Sequence, residues 1–185
     1  MELFFIMDLM KEIELLKSLA LELNESSNNY KNITLEEEKE LEEKFDLFEK
    51  TLYNIRLEGD MSVINDLSLL IDDEFFEPAI MEDIVEIIIL IIEKYDLKKG
   101  LYIIFNNIDK ILINGKFFFS MLIEMILNDD EEFIENFVYA INSLNDNKKE
   151  ILINLLNEIK TDFENINKDY SKGYILQIEK IISNI

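Results

Sequence analysis

Residues 78–95 read PAIMEDIVEIIILIIEKY and contain the most apolar run of the chain. Its apolar side chains, above all those from Ile84 to Ile92, are too many for one stripe and nearly encircle a helix axis. A helix that is apolar on most sides lies in the interior of a protein. Pro78 suits a first helical turn, so we predict a buried helix from Pro78 to about Tyr95.

The buried helix has one main charged strip, formed by Glu82, Glu86 and Glu93, which lie within about 40° of one another in helical projection. The strip belongs to a longer run, residues 57–93, that is rich in Asp and Glu and contains no Lys or Arg. In a chain with a formal net charge of −22, such a run destabilises the compact state by repulsion. We therefore interpret it as a surface that meets something basic.

Amphipathic helices are predicted before the buried helix. The first spans residues 2–23, and the second opens with a capping box formed by Thr34 and Glu37. Asp60 is expected to cap a short third helix, and residues 72–77 to connect it to the buried helix. The second helix has a narrow apolar stripe formed by Leu41, Phe45, Phe48, Leu52 and Ile55.

Helical patterns also fill the rest of the chain. The predicted blocks are residues 97–113, 116–127, 130–144, 146–161 and 170–182, with breaks at Asn114-Gly115, Asn128-Asp129 and Asn145-Asp146. Short connections make consecutive helices pack antiparallel. The predicted fold is all-α, with about eight to nine helices packed as antiparallel hairpins in a HEAT-like array or an irregular bundle. We expect one domain, residues 1–185, with a helix pair at 1–57 and a main body at 58–185.

The residue inventory narrows the function. Cys and His are both absent, which excludes the usual zinc sites and the nucleophile pairs built on His. We expect no enzyme, no catalytic or metal-binding residue and no cofactor. The negative charge argues against direct binding of nucleic acid or an anionic membrane, and no apolar run is long enough to span a bilayer. We expect a cytoplasmic protein; the sequence does not decide whether it self-associates.

Carboxylate patterns leave one enzyme alternative. Glu36, Glu37 and Glu40 resemble the EExxE half of the magnesium-binding signature of all-α nucleotide pyrophosphohydrolases, but the second half is missing. The clusters at residues 72–74 and 129–132 lack the last Asp of a DDxxD motif and suit helix starts. A magnesium-dependent nucleotide hydrolase is therefore the last-ranked reading.

Consecutive aromatics occur at Phe75-Phe76 and at residues 117–119. Large apolar side chains are usually buried, and core packing is the favoured reading of each one. Three consecutive residues cannot all face one side of a helix, so one of Phe117, Phe118 and Phe119 is expected at the surface. An exposed Phe beside an acidic surface would suit an interface anchor.

The segment from Asp66 to Ile159 resembles the bacterial polymorphic-toxin immunity proteins grouped as immunity protein family 30. The likeness rests on the Asp72-Asp73 turn, the Tyr95-Asp96 helix end, the break at residues 127–129 and the closing segment 144–159. The resemblance implies an all-helical protein, made beside a toxin gene, that binds the toxin domain in the cytosol and blocks it.

Residue pattern and resemblance together predict an inhibitor whose acidic surface covers the basic surface of a cognate toxin domain, a nuclease. Two alternatives stay open: an acidic mimic of nucleic acid that inhibits a defence nuclease, and a HEAT-like interaction scaffold. The predicted partner-binding residues form two patches: Asp72, Asp73, Glu74, Glu77, Glu82 and Glu86, then Asp129, Asp130 and Glu131.

Overall fold

The computed structural model describes residues 2–27, 34–75, 77–127, 131–166 and 171–185, with side chains except at 2–8, 26–27 and 131–132. These residues form ten helices and no strand, which confirms the all-α prediction. The helices are α1 (Glu2–Ser27), α2 (Leu35–Glu58), α3 (Ile64–Ser68), α4 (Pro78–Tyr95), α5 (Leu97–Phe105), α6 (Ile108–Ile111), α7 (Lys116–Leu127), α8 (Glu131–Asn142), α9 (Asp146–Ile166) and α10 (Ser171–Ser183).

Helix α4 is the interior helix that its sequence predicts. It packs against α2, α3, α5 and α7, and Pro78 occupies its first turn. Half of its residues are buried, whereas Glu82, Glu86 and Glu93 are exposed. Burial of each large aliphatic side chain contributes about 1.5–3 kcal/mol, so this helix holds the surrounding layers together. The carboxylate strip therefore has a rigid apolar backing.

Two pairs of consecutive helices are antiparallel. In α1 and α2, Lys44 lies 3.2 Å from Glu22, and Asn54 donates to Glu12 at 3.0 Å, so rising numbers on one helix meet falling numbers on the other. In α9 and α10, Lys160 pairs with Glu179 at 2.6 Å and Phe163 stacks on Tyr174, so the numbering again runs in opposite directions. By contrast, α5 packs on α8, which is not its neighbour in the chain. The fold thus combines helical hairpins with an irregular centre.

The start of α2 follows its sequence signature. The Thr34 hydroxyl accepts a hydrogen bond from the Glu37 N–H at 3.3 Å, and the Glu37 carboxylate accepts one from the Thr34 N–H at 2.6 Å. Both bonds lower the pKa of Glu37, and the bond from the Thr34 backbone N–H has the larger effect. The predicted stripe is also confirmed, because Phe48, Leu52 and Ile55 are buried, with Leu41 and Phe45 packed beside them.

Two local predictions are wrong. Asp60 does not cap α3, which begins at Ile64 after Val63; its carboxylate instead accepts a hydrogen bond from the Ser62 N–H at 2.7 Å, within the preceding turn. The predicted helix at 97–113 is divided into α5 and α6 at Asn106-Asn107. There the buried side chain of Asn107 donates to Asn65 at 3.0 Å. A tertiary hydrogen bond thus accompanies the break in the helix.

The other helix ends are close to prediction. Helix α7 has the predicted bounds, while α1 and α9 continue past residues 23 and 161 to Ser27 and Ile166. The Asn145 carboxamide accepts a hydrogen bond from the Lys148 N–H at 3.0 Å and so caps α9. The predicted break at Asn128-Asp129 lies outside the described residues.

Candidate partner-binding surface

Internal hydrogen bonds hold Asp72 and Asp73 at the start of the acidic turn (residues 72–77, of which Phe76 lies outside the described residues). One carboxylate oxygen of the half-buried Asp72 accepts a hydrogen bond from the Glu74 N–H at 2.9 Å, which closes a local turn. The other accepts one from the Asn24 side chain of α1 at 3.4 Å. Asp72 therefore shapes the turn and joins it to the first helix.

Asp73 connects the acidic turn to α7. Its N–H donates to the Asn114 carbonyl at 2.7 Å, and its carboxylate accepts from the N–H groups of Phe117 and Phe118 at 2.8 and 3.1 Å. A carboxylate at this position caps a helix and interacts favourably with the positive end of its dipole. Gly115 allows the close approach, since a Cβ there would lie 2.4 Å from the Ile71 carbonyl oxygen.

The remaining carboxylates of the first patch lie nearer the solvent. Glu74 and Glu82 are exposed and Glu77 is half-buried; within the described part of the chain, none of these three makes a hydrogen bond or ion pair through its carboxylate. Glu86 is exposed and lies 3.9 Å from Arg56, the chain's single arginine. The side chains of the second patch, residues 129–131, lie outside the described residues.

A groove of about 420 Å³ runs between α7 and α9, and sequence reasoning did not identify it. Its α7 side carries Phe117, Met121 and Glu124, which share one helix face through their spacing of four and three residues. Ile159 and Asp162 line it from α9, and Asp73 of the acidic turn lies at its border. Lys116 is bridged to Glu158 across the two helices at 2.5 Å.

The three consecutive Phe residues divide as expected. Phe118 and Phe119 are buried, whereas Phe117 is 65% exposed and lines the groove. The exposure of one Phe was therefore visible in the sequence. The groove was not, because its second wall is formed by α9, which follows much later in the chain. Phe75 is buried, and Phe76 lies outside the described residues.

The groove has an uncompensated negative charge. Burial and, secondly, the nearby Asp162 carboxylate raise the pKa of Glu124 above the usual value for glutamate. No hydrogen bond or ion pair joins Glu124 or Asp162 to another described residue. Lys116, the cation of the groove, is engaged by Glu158. The half-buried Glu124 and the exposed Asp162 therefore place two like charges beside the apolar side chains of Phe117, Met121 and Ile159.

A family model described as Immunity protein 30 matches residues 31–137, more than half of the chain. The chain belongs to the immunity protein 30 family. The match begins earlier than the resemblance seen in the sequence, at residue 31 and not 66, and ends within α8. It contains α2, the acidic turn, α4 and α7, but not α9.

Membership in the immunity protein 30 family implies binding of a cognate toxin. No curated protein and no solved structure matches the chain. Among the described residues no helix is long and apolar enough to cross a membrane. Within the same residues no group of three or more Asp and Glu side chains is arranged to hold a metal ion. Glu37 and Glu40 of the EExxE pattern take part in the capping box and in an ion pair with Lys44.

Proposed function

We propose that this immunity protein binds a basic toxin domain, a nuclease, in the cytosol and neutralises it through its acidic surface. The acidic surface consists of the acidic turn at residues 72–77 together with Glu82 and Glu86 of α4. The strongest support for this proposal comes from the unpaired carboxylates of Glu74, Glu77 and Glu82. These carboxylates have no partner within the described residues, and Glu82 lies on α4, whose apolar side chains pack in the core.

Electrostatics gives this surface a kinetic role. A concentrated negative field speeds the encounter with a basic protein, and on-rates rise by ten- to a thousandfold where such steering operates. Salt screens the attraction over about 10 Å at moderate ionic strength, so the encounter slows as salt is added. Rapid capture suits an inhibitor that must act before its toxin damages the cell.

A nuclease is the target class that fits this charge. Nucleic-acid-binding surfaces are rich in Lys and Arg because they neutralise backbone phosphates. Carboxylates on a rigid surface can pair with those Lys and Arg side chains and block the access of the nucleic acid. Asp129, Asp130 and Glu131 are proposed as a second patch for the same partner.

The carboxylates of the first patch have unequal roles in this proposal. Asp72 and Asp73 already accept hydrogen bonds within the protein, so their main contribution is to hold the turn. Glu86 is partly neutralised by Arg56. Glu74 and Glu82 are therefore the carboxylates that we expect to make the strongest contacts with the partner.

The test combines binding with protection. The purified chain is mixed with the toxin domain encoded next to it at low salt, and complex formation is followed by isothermal titration calorimetry. Growth of cells that express the toxin domain is measured with and without this chain. We expect a stable complex and restored growth. Absence of a complex at low salt, together with unrestored growth, would remove the proposal.

A further inference from the structure

We propose that the groove between α7 and α9 is the specific docking site for an arginine side chain of the toxin domain; this inference rests on the proposed function. The aliphatic part of the arginine would lie on Phe117 and Met121. Its guanidinium would lie between Glu124 and Asp162. The acidic surface attracts the partner, and the groove holds it.

The apolar half of the groove supports this occupant. Phe117 exposes 65% of its surface at the start of α7, whereas its neighbours Phe118 and Phe119 are buried. Met121 and the buried Ile159 continue the apolar lining. The methylene groups of an arginine side chain pack on apolar surface of this kind while the charged end reaches polar groups beyond it.

The charged half supports the same occupant. At a rise of 1.5 Å per residue, Glu124 lies about 10 Å beyond Phe117 along the α7 axis. An extended arginine side chain covers a large part of this distance, so its methylene groups and its guanidinium can contact the two ends of the groove. Glu124 and Asp162 line the groove, and neither forms an ion pair with a described residue. A guanidinium has donors enough to reach two carboxylates at once.

Since no described residue forms an ion pair with Glu124 or Asp162, we assign the guanidinium to another molecule. The chain has one arginine, Arg56, which pairs with Glu86 of α4, and Lys116 of the groove is held by Glu158. Asp73, whose carboxylate caps α7, borders the groove and joins it to the acidic turn. A basic partner drawn to the acidic turn would thus meet the groove next.

The experiment measures the Kd of the toxin domain for four variants at physiological salt. Phe117→Ala and Glu124→Gln alter the groove. Leu176→Ala on α10 is the control for Phe117, because Leu176 is also about two-thirds exposed, at 66%. Glu150→Gln, at an exposed position of α9, is the control for the carboxylate. Circular dichroism and thermal unfolding establish that each variant is folded.

We expect Kd to rise at least about tenfold for each groove variant and to change less than about threefold for each control. A double-mutant cycle between Glu124→Gln and Arg→Ala substitutions on the toxin surface should show coupling to one arginine. Tight binding by all four variants would overturn the proposed arginine site in the groove and leave the proposed function intact. Failure of the unmodified chain to bind would overturn both.

A second copy of the chain is the competing occupant. Light scattering on the unmodified protein and on Phe117→Ala tests it. A dimer that becomes a monomer on this substitution would assign the groove to self-association and overturn the proposal. A monomer in both cases agrees with the proposed arginine site.

Discussion

The Asp73 carboxylate accepts a hydrogen bond from the Phe117 N–H at 2.8 Å, across 44 positions of sequence. Through this bond a residue of the acidic turn caps the helix that carries the exposed aromatic ring of the groove. The position of Phe117 therefore depends on the acidic turn. Substitutions at Asp73 will change the fold and the binding surface together, so Asp73 is a poor choice for a test of charge alone.

Asp73→Ala is expected to lower the free energy of unfolding by roughly 1–2 kcal/mol, because two N–H groups at the start of α7 lose their acceptor. Asp73→Asn, which keeps one carbonyl oxygen, should lose less. Urea unfolding followed by circular dichroism measures both. Glu74→Ala is the neighbouring control and should stay within about 0.5 kcal/mol of the parent. Equal stability of Asp73→Ala and the parent would contradict the capping role.

Gly100 and Gly173 form a matched pair for a test of packing. A Cβ at Gly100 would lie 2.2 Å from Cγ2 of Ile92, whereas nothing lies within 4 Å of a Cβ at Gly173. Gly100→Ala should therefore destabilise the protein by roughly 1–3 kcal/mol through overpacking of α5 on α4. Gly173→Ala should stabilise it by about 0.4–1 kcal/mol through the unfolded state. Thermal unfolding of the two variants measures the change in stability relative to the parent. Changes of the same sign would contradict the described packing.

Glu124→Gln should make the protein more stable at pH 7 but not below pH about 4. Burial and then Asp162 raise the pKa of Glu124 in the folded protein, so the unfolded chain ionises this carboxyl more easily. The free energy of unfolding therefore falls as the pH rises from the ordinary glutamate pKa, about 4.3, through the raised pKa. Glutamine does not titrate and removes this loss.

Thermal unfolding of the parent and of Glu124→Gln across this pH range measures the difference. The charged groups that line the same groove, Asp73, Lys116 and Asp162, are unchanged, and Glu150→Gln removes the same charge from an exposed position. A stability difference between parent and variant that does not depend on pH would contradict the burial of this carboxyl.

Glu82→Lys should separate stability from binding. Glu82 is exposed and has no partner among the described residues, so this variant should keep its stability within about 0.5 kcal/mol or gain slightly as the negative charge falls. Its complex with the toxin domain should nevertheless weaken. Urea unfolding and a binding titration measure the two quantities. Destabilisation comparable to that of Asp73→Ala would show that Glu82 serves the fold.

Helix types and most helix boundaries were predictable because they follow from local periodicity. The sequence 78–95 shows a helix apolar on nearly all sides, and Thr34 with Glu37 shows a capping box; both are present. The break at Asn106-Asn107 was not predictable, because Asn107 bonds to Asn65 from a distant part of the chain. No local pattern contains that information.

The candidate surface was predictable only where it depends on local sequence. The absence of basic residues from 57–93 is visible in the sequence, but the roles of its carboxylates are not. Asp73 caps α7 and Glu86 meets Arg56, and each contact joins separate segments. The groove was missed because Glu124 and Asp162 come together only when α7 and α9 pack in the folded chain.

The salt dependence of binding measures how far the acidic surface attracts the toxin domain by charge. The Kd of the toxin domain is measured over a range of salt for the parent and for Glu74→Lys, Glu82→Lys and Glu150→Lys, each of which changes the net charge by two units. We expect binding of the parent and of Glu150→Lys to weaken steeply as salt is added. For Glu74→Lys and Glu82→Lys we expect a Kd raised at least about tenfold at low salt, with a flatter salt dependence. Equal Kd values for all three reversals would show that the acidic surface serves solubility alone.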